Sequence, residues 1–120
     1  MTEYLVEISR STDPVDEEPD ERLIIDWLKD ALSRLDCSQA EVSVRVVSEH
    51  EMTSLNRQYR DRNQSTNVLS FPSGIEAEGR LFLGDIVVCA AVVRREALEF
   101  DKSVEDRYAH MVFHGLLHLL

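Results

Sequence analysis

Three histidines four residues apart, His110, His114 and His118, stand in the segment HMVFHGLLHLL. On an α-helix, residues four apart are neighbours, with Cβ atoms about 5–6 Å apart. The three therefore form one slowly drifting stripe. A pair at this spacing can bring two ring nitrogens about 2.0–2.1 Å from a single zinc ion. The other reading is that each imidazole is a core or rim residue bonded to a carbonyl. His110 reads as structural, because three donors on one straight helix splay away from a tetrahedral centre. His50, in the polar segment SEHE, reads as exposed. Zinc proteases with the HExxH pattern carry a glutamate base directly after their first histidine, and here that position is Gly115. A peptidase reading lacks its base. Gly115 instead removes a side chain and lets another backbone or a substrate come close.

The elements that must position these groups follow from periodicity. Glu3–Ser9 alternates, with Tyr4, Val6 and Ile8 on one side, and predicts a strand. Leu23, Ile24, Trp27, Leu28, Ala31, Leu32 and Leu35 recur at helical spacing and predict an amphipathic helix over 20–35. Glu41–Val47 alternates again, with Val42, Val44 and Val46 on one face. Ser48 and Glu51 make a capping-box pattern, opening a short helix expected to bury Met52, Leu55 and Tyr59. Arg60–Thr66 reads as a loop. Asn67–Phe71 reads as a short strand stopped by Pro72, and SGIEAEG as a turn. Leu81–Ala90 is continuously apolar, which predicts a strand buried on both faces. Ala91–Phe100 reads as a helix, and Ser103 with Asp106 opens the last one. Its apolar residues, Met111, Val112, Phe113, Leu116, Leu117, Leu119 and Leu120, cover most of the circumference and predict a buried helix. The order β-α-β-α-β-β-α-α predicts one α+β domain. It has a mixed sheet of about four strands, helices packed on it, and the histidine helix at the C-terminal end.

Composition narrows the function. The chain has 120 residues, enough for one domain with a real core. Thirteen basic against 23 acidic residues give a formal net charge of −10, which argues against broad nonspecific nucleic-acid binding. Between Asp13 and Glu21, six of nine residues are acidic, read as a solvated loop leading into a helix N-terminus. Cys37 and Cys89 form no CxxC pair and read as reduced core thiols. No secretory leader and no apolar stretch long enough for a membrane is visible, so the expectation is a soluble cytoplasmic protein.

Four motifs carry a family resemblance: LNRQYR at 55–60, TNVLSFP at 66–72, LGDI at 83–86 and HGLLHLL at 114–120. Together, and in this order, they resemble the YbeY family, bacterial metal-dependent endoribonucleases of ribosomal RNA maturation. The likeness is detailed over the second half of the chain and a matter of pattern over the first. The family signature HGxLHLxGYDH implies that His114 and His118 are two of three zinc ligands, with one ion per chain. The third histidine would lie six positions after His118, beyond residue 120. The last helix has no Gly cap, no basic last turn and no Pro stop. The expectation is therefore a single YbeY-like domain over 1–120 that is C-terminally incomplete.

The resemblance also places Arg60 near the metal cleft. It implies a catalytic and substrate-binding role for that guanidinium, clamping a phosphate. Arg57 would help bind the substrate, and with Arg62 would make a local basic patch. Asn67 stands where many relatives have Asp in TDVLSFP. Asp85 in LGDI is a candidate base, although a carboxylate capping a neighbouring turn is the simpler reading. The implied activity is zinc-dependent hydrolysis of phosphodiesters in single-stranded RNA, in 16S ribosomal RNA processing and ribosome quality control. The small ribosomal subunit and the Era GTPase would be partners, with no membrane involved. The competing reading is a non-catalytic ribosome-assembly factor with a structural metal. Structural zinc sites are usually closed by four protein ligands, so a three-histidine set favours catalysis.

Overall fold

A computed structural model describes residues 3–12 and 18–120. Most of the acidic run expected to form a loop, residues 13–17, lies outside the described residues. The elements are β1 (Glu3–Arg10), α1 (Glu21–Arg34), β2 (Gln39–Val47), α2 (Glu49–Arg60), β3 (Val68–Ala77), β4 (Arg80–Cys89), α3 (Ala90–Glu99) and α4 (Val104–Leu119). The expected α+β architecture is observed, with one sheet in the order β1-β2-β4-β3. β1 and β4 run parallel to β2, and β3 runs antiparallel to β4.

Three helices, α1, α2 and α4, begin where polar side chains satisfy their first N–H groups. Asp20 accepts from Leu23 N at 2.9 Å, Ser48 from Glu51 N at 3.1 Å, and Ser103 from Asp106 N at 3.0 Å. The alternation in the strands sorts residues between two faces. Val42, Val44 and Val46 bury beneath α1 and α4, against Ile24, Leu28 and Leu116. The opposite face carries Val47, Leu69, Val87 and Cys89, which pack on Met52 and Val92. β4 is sandwiched only from Ile86 to Cys89, while Asp85 is exposed. The expectation of burial along its whole length therefore holds for the second half alone, because α2 covers only part of that face.

Two expectations about β3 are corrected. Pro72 does not stop the strand, which runs on to Ala77. β3 is an edge strand, so the missing N–H removes no ladder bond that the sheet needs. The register slips between Pro72 and Ile75, with Gly74 at φ 63°. The turn itself is only Glu78–Gly79, with φ 54° and 77°, the pair of positive angles that a two-residue hairpin requires. This half of the strand is exposed from Pro72 onward, so hydrophobicity could not reveal it.

Gly84 is required where two irregularities meet. It pairs with Val42 on one side and Pro72 on the other, at register shifts in both ladders. Its φ is +135°, and a Cβ there would stand 2.1 Å from the Phe71 carbonyl oxygen. Only glycine fits that conformation and that approach.

Candidate functional site

α4 is not buried all round. Tyr108, Met111, Val112, Gly115, Leu116 and Leu119 face the core. His110, Phe113, His114, Leu117 and His118 are exposed. The expected all-round burial fails because the helix lies over one face of the sheet and, among the described residues, has no element on its outer side. The histidines therefore stand at an open cleft rather than in a core.

His114 and His118 form a pair. Their Nε2 atoms are 3.0 Å apart, with ring centroids at 4.5 Å and planes at 60°. Donors about 2.0–2.1 Å from one ion at the tetrahedral angle stand about 3.3 Å apart. The pair is thus within a few tenths of an ångström of chelating spacing and suits a borderline-soft divalent cation. Among the described residues, no group of three or more His, Cys, Asp or Glu side chains is arranged to hold an ion. The two imidazoles are a partial ligand set.

The pair lines a cleft of about 500 Å³ together with Arg60, Thr66, Asn67 and Ser70. The histidines and Arg60 thus face one another across a single opening. β3 and α4 form its base. Ser70 Oγ donates to the Gly115 carbonyl at 2.8 Å. A Cβ on Gly115 would meet Ile86 Cγ2 at 2.6 Å, and Ser70 Oγ and Val68 Cγ2 at 3.3 Å. What comes close to Gly115 is the sheet, and that closeness sets the depth of the histidines over β3.

Arg60 is the last residue of α2 rather than the first of a loop. Asp61 closes the helix in the left-handed conformation at φ 54°. The following segment is tied back twice. Asn56 Nδ2 donates to the Gln64 carbonyl at 2.8 Å, and Ser65 Oγ donates to Glu49 Oε2 at 3.1 Å. The Arg95 guanidinium, and then Ser65, hold the Glu49 carboxyl below its ordinary value. Asn56 is a buried polar residue, 1% exposed. It was not among the expected site residues. Its place in α2 on the face of Met52 was the available signal, since a polar residue among buried positions needs a dedicated partner.

Other expected site residues fall elsewhere. Arg57 and Arg62 are exposed and lie outside the cleft lining. Asp85 points to the opposite face of the sheet and lines a different groove. It does not line the histidine cleft, so it is not placed to act as their base. Tyr59, expected in the core, is 58% exposed, with its ring edge-on to Phe71 beside an open groove. His110 meets Arg107, whose Nη1 lies 3.3 Å from its Nδ1, and is not in the cleft. Asn67 Nδ2 donates to both Glu96 oxygens at 3.1 and 3.3 Å, and Arg107 pairs with the same carboxylate. Cys89 is buried and Cys37 half-buried, both as free thiols. His50 is exposed as expected.

Charge is distributed unevenly. Seven arginines form ion pairs with carboxylates among the described residues. Of the other six basic residues, Arg57, Arg60 and Arg62 sit together at the end of α2. On a chain of net charge −10, these three form none of those ion pairs and remain available to an anion. No helix among the described residues is long and apolar enough to cross a membrane.

Comparisons with known proteins place the chain in a family. The family model described as Endoribonuclease YbeY matches residues 5–120. An Endoribonuclease YbeY from Cellvibrio japonicus is 44% identical over 121 aligned positions, covering all of this chain and 68% of that protein. The Alcanivorax borkumensis protein of the same name is 43% identical, over 96% of this chain and 68% of its own length. The Halorhodospira halophila one is 55% identical over 67% of this chain and 54% of its own. The solution structure of TM1509 from Thermotoga maritima superposes with a TM-score of 0.61 at 30% identity. That match covers 96% of this chain and 71% of the other.

Proposed function

Because this chain belongs to the YbeY family of endoribonucleases, we propose that its cleft hydrolyses phosphodiester bonds of single-stranded RNA during ribosomal RNA maturation. The observation that carries the proposal is the pair of Nε2 atoms 3.0 Å apart in one cleft with Arg60.

In this reading His114 and His118 are two ligands of a zinc ion, and a third donor follows residue 120, as in the family signature. When bound, the ion supplies a Lewis acid and an acidified water. The protein's own groups do the rest. Arg60 has no carboxylate partner among the described residues, so its planar fork is available to two phosphate oxygens. It holds the scissile group at the cleft and stabilises charge that grows on those oxygens in the transition state. The Ser70–Gly115 bond fixes the helix that presents the imidazoles. Arg57 and Arg62 lie outside the cleft and would meet neighbouring phosphates. The same reading takes 16S ribosomal RNA as the substrate, with the small ribosomal subunit and an Era-type GTPase as partners, on the strength of family membership.

The test uses protein extended past Leu120 through a third histidine, compared with the chain as it stands. Zinc content is measured alongside cleavage of a single-stranded RNA. His114→Ala should lose both metal and cleavage. Arg60→Ala should keep the metal and lose roughly 100- to 1,000-fold in rate. Undiminished cleavage by both variants, in protein free of contaminating nuclease, refutes the proposal.

A further inference from the structure

The sheet carries a second groove on the face away from the histidines, with a volume of about 410 Å³, a size ordinary for ligand pockets. Aligned rows across the strands make its floor. Ser43 lies beside Asp85 and Asp85 beside Phe71, while Ser9 lies beside Arg45 in the next row. Tyr59 forms a wall. Its ring stands edge-on to Phe71, with centroids 5.0 Å apart and planes at 69°. Most of Tyr59 remains open to solvent. None of these groups serves the histidine cleft.

The two openings share their partition. Arg60 and Tyr59 are consecutive on α2, and one helical step turns a side chain by about 100°. Arg60 consequently lines the histidine cleft and Tyr59 the groove. β3 divides in the same way, with Ser70 and Pro72 on one side and Phe71 on the other. The groove is not built for phosphate. Asp85 sits in its floor, and its cation, Arg45, is already paired with Glu51 at 2.5 Å. An aromatic wall, a carboxylate acceptor and two hydroxyls are instead the groups that hold an unstacked base.

We propose that this groove is a nucleobase subsite, taking a base of the same RNA strand whose phosphate lies at Arg60. The base stacks on Tyr59, and the Asp85 carboxylate accepts a hydrogen bond from its exocyclic amine. Cytosine, adenine and guanine carry such an amine and uracil does not, so the subsite disfavours uridine. The inference rests on the reading of Arg60 as a phosphate ligand, and the experiment separates the two.

Affinity for single strands of about eight nucleotides is measured by fluorescence anisotropy over a range of salt. Tyr59→Leu should weaken binding roughly 5- to 100-fold without changing the salt dependence, and Tyr59→Phe should bind like the parent. Arg60→Ala should instead reduce the slope of log affinity on log salt by about 0.7. A preference for oligo(C) over oligo(U) should disappear in Asp85→Asn. On a strand with abasic positions, Tyr59→Leu should have no effect. If Tyr59→Leu binds RNA like the parent while Arg60→Ala weakens it, the subsite is overturned and the phosphate site stands. If neither substitution matters, both fall. An equal loss on abasic RNA makes Tyr59 a mere support for α2 and also overturns the subsite.

Discussion

Replacing Gly115 with alanine sets two effects of opposite sign against each other. By helix propensity alone the change should stabilise α4 by up to about 1 kcal/mol. Packing opposes it. The new Cβ would stand 2.6 Å from Ile86 Cγ2, whereas carbon contacts settle at about 3.5–4.0 Å. Ile86 is fully buried, and its β-branch is stiff about χ1, so it has no room to swing aside. The helix must retreat by roughly 1 Å. That strains the packing by about 1–3 kcal/mol and loosens the Ser70–Gly115 hydrogen bond, which contributes about 0.5–1.5 kcal/mol. After the propensity gain, a net loss of about 1–3 kcal/mol remains. For a domain of this size the melting temperature should fall by roughly 4–12 °C. Urea unfolding should show a lower midpoint with an unchanged slope. The same retreat lifts the imidazole pair off β3, so zinc retention should weaken in the extended protein. A variant as stable as the parent, or more so, would refute the claim that Gly115 is a spacer between helix and sheet.

Three other outcomes follow from the packing. Gly84→Ala places a Cβ against the Phe71 carbonyl at a positive φ. It should cost at least about 3 kcal/mol, and a parent-like thermal melt would contradict this. Tyr108→Phe removes a buried hydroxyl that donates to Glu18 at 2.5 Å and should cost about 1.5–3 kcal/mol at neutral pH. Burial, and then the Glu18 carboxylate, raise the Tyr108 pKa above its ordinary value. The native state therefore holds that proton more tightly, and the contribution is full below about pH 10 and lost as pH rises further. Urea midpoints of parent and variant should converge across that range. Burial also pushes the Cys89 thiol pKa up, so an alkylating reagent should label half-buried Cys37 first and Cys89 only as the protein opens. Peptide mass spectrometry after timed exposure decides this, and equal labelling would count against it.

Much of the architecture was legible because burial and periodicity agree. Val42, Val44 and Val46 alternate and are buried on one face, and Ile24, Leu28 and Leu32 repeat at helical spacing and pack onto it. Ser48 and Ser103 announced their helix starts, because a hydroxyl before a helical run has a local partner. What escaped the sequence depends on non-local facts. Pro72 reads as a stop unless its strand is known to be at the edge. Tyr59 reads as core unless the groove beside it is known to be open. The histidine helix reads as buried because composition reports its apolar residues but not how many sides are covered. At the site, the i, i+4 spacing placed His114 beside His118 from local geometry alone. Arg60 needed the family motif, since nothing local distinguishes it from Arg57. Asn56 and the Ser70–Gly115 bond were invisible because their partners lie 8 and 45 residues away in sequence.

The cleft opens along β3, which is an edge strand of the sheet among the described residues. Its outer backbone donors and acceptors are thus a template on which another chain could add itself and begin an intermolecular sheet. Pro72, the register slip before Ile75, and the exposed Glu76 and Glu78 interrupt that template. A proline withholds a donor, a slip bends the ribbon, and like charges on stacked copies repel. The awkward second half of β3 can be understood as protection against self-association, which lets the first half stay open.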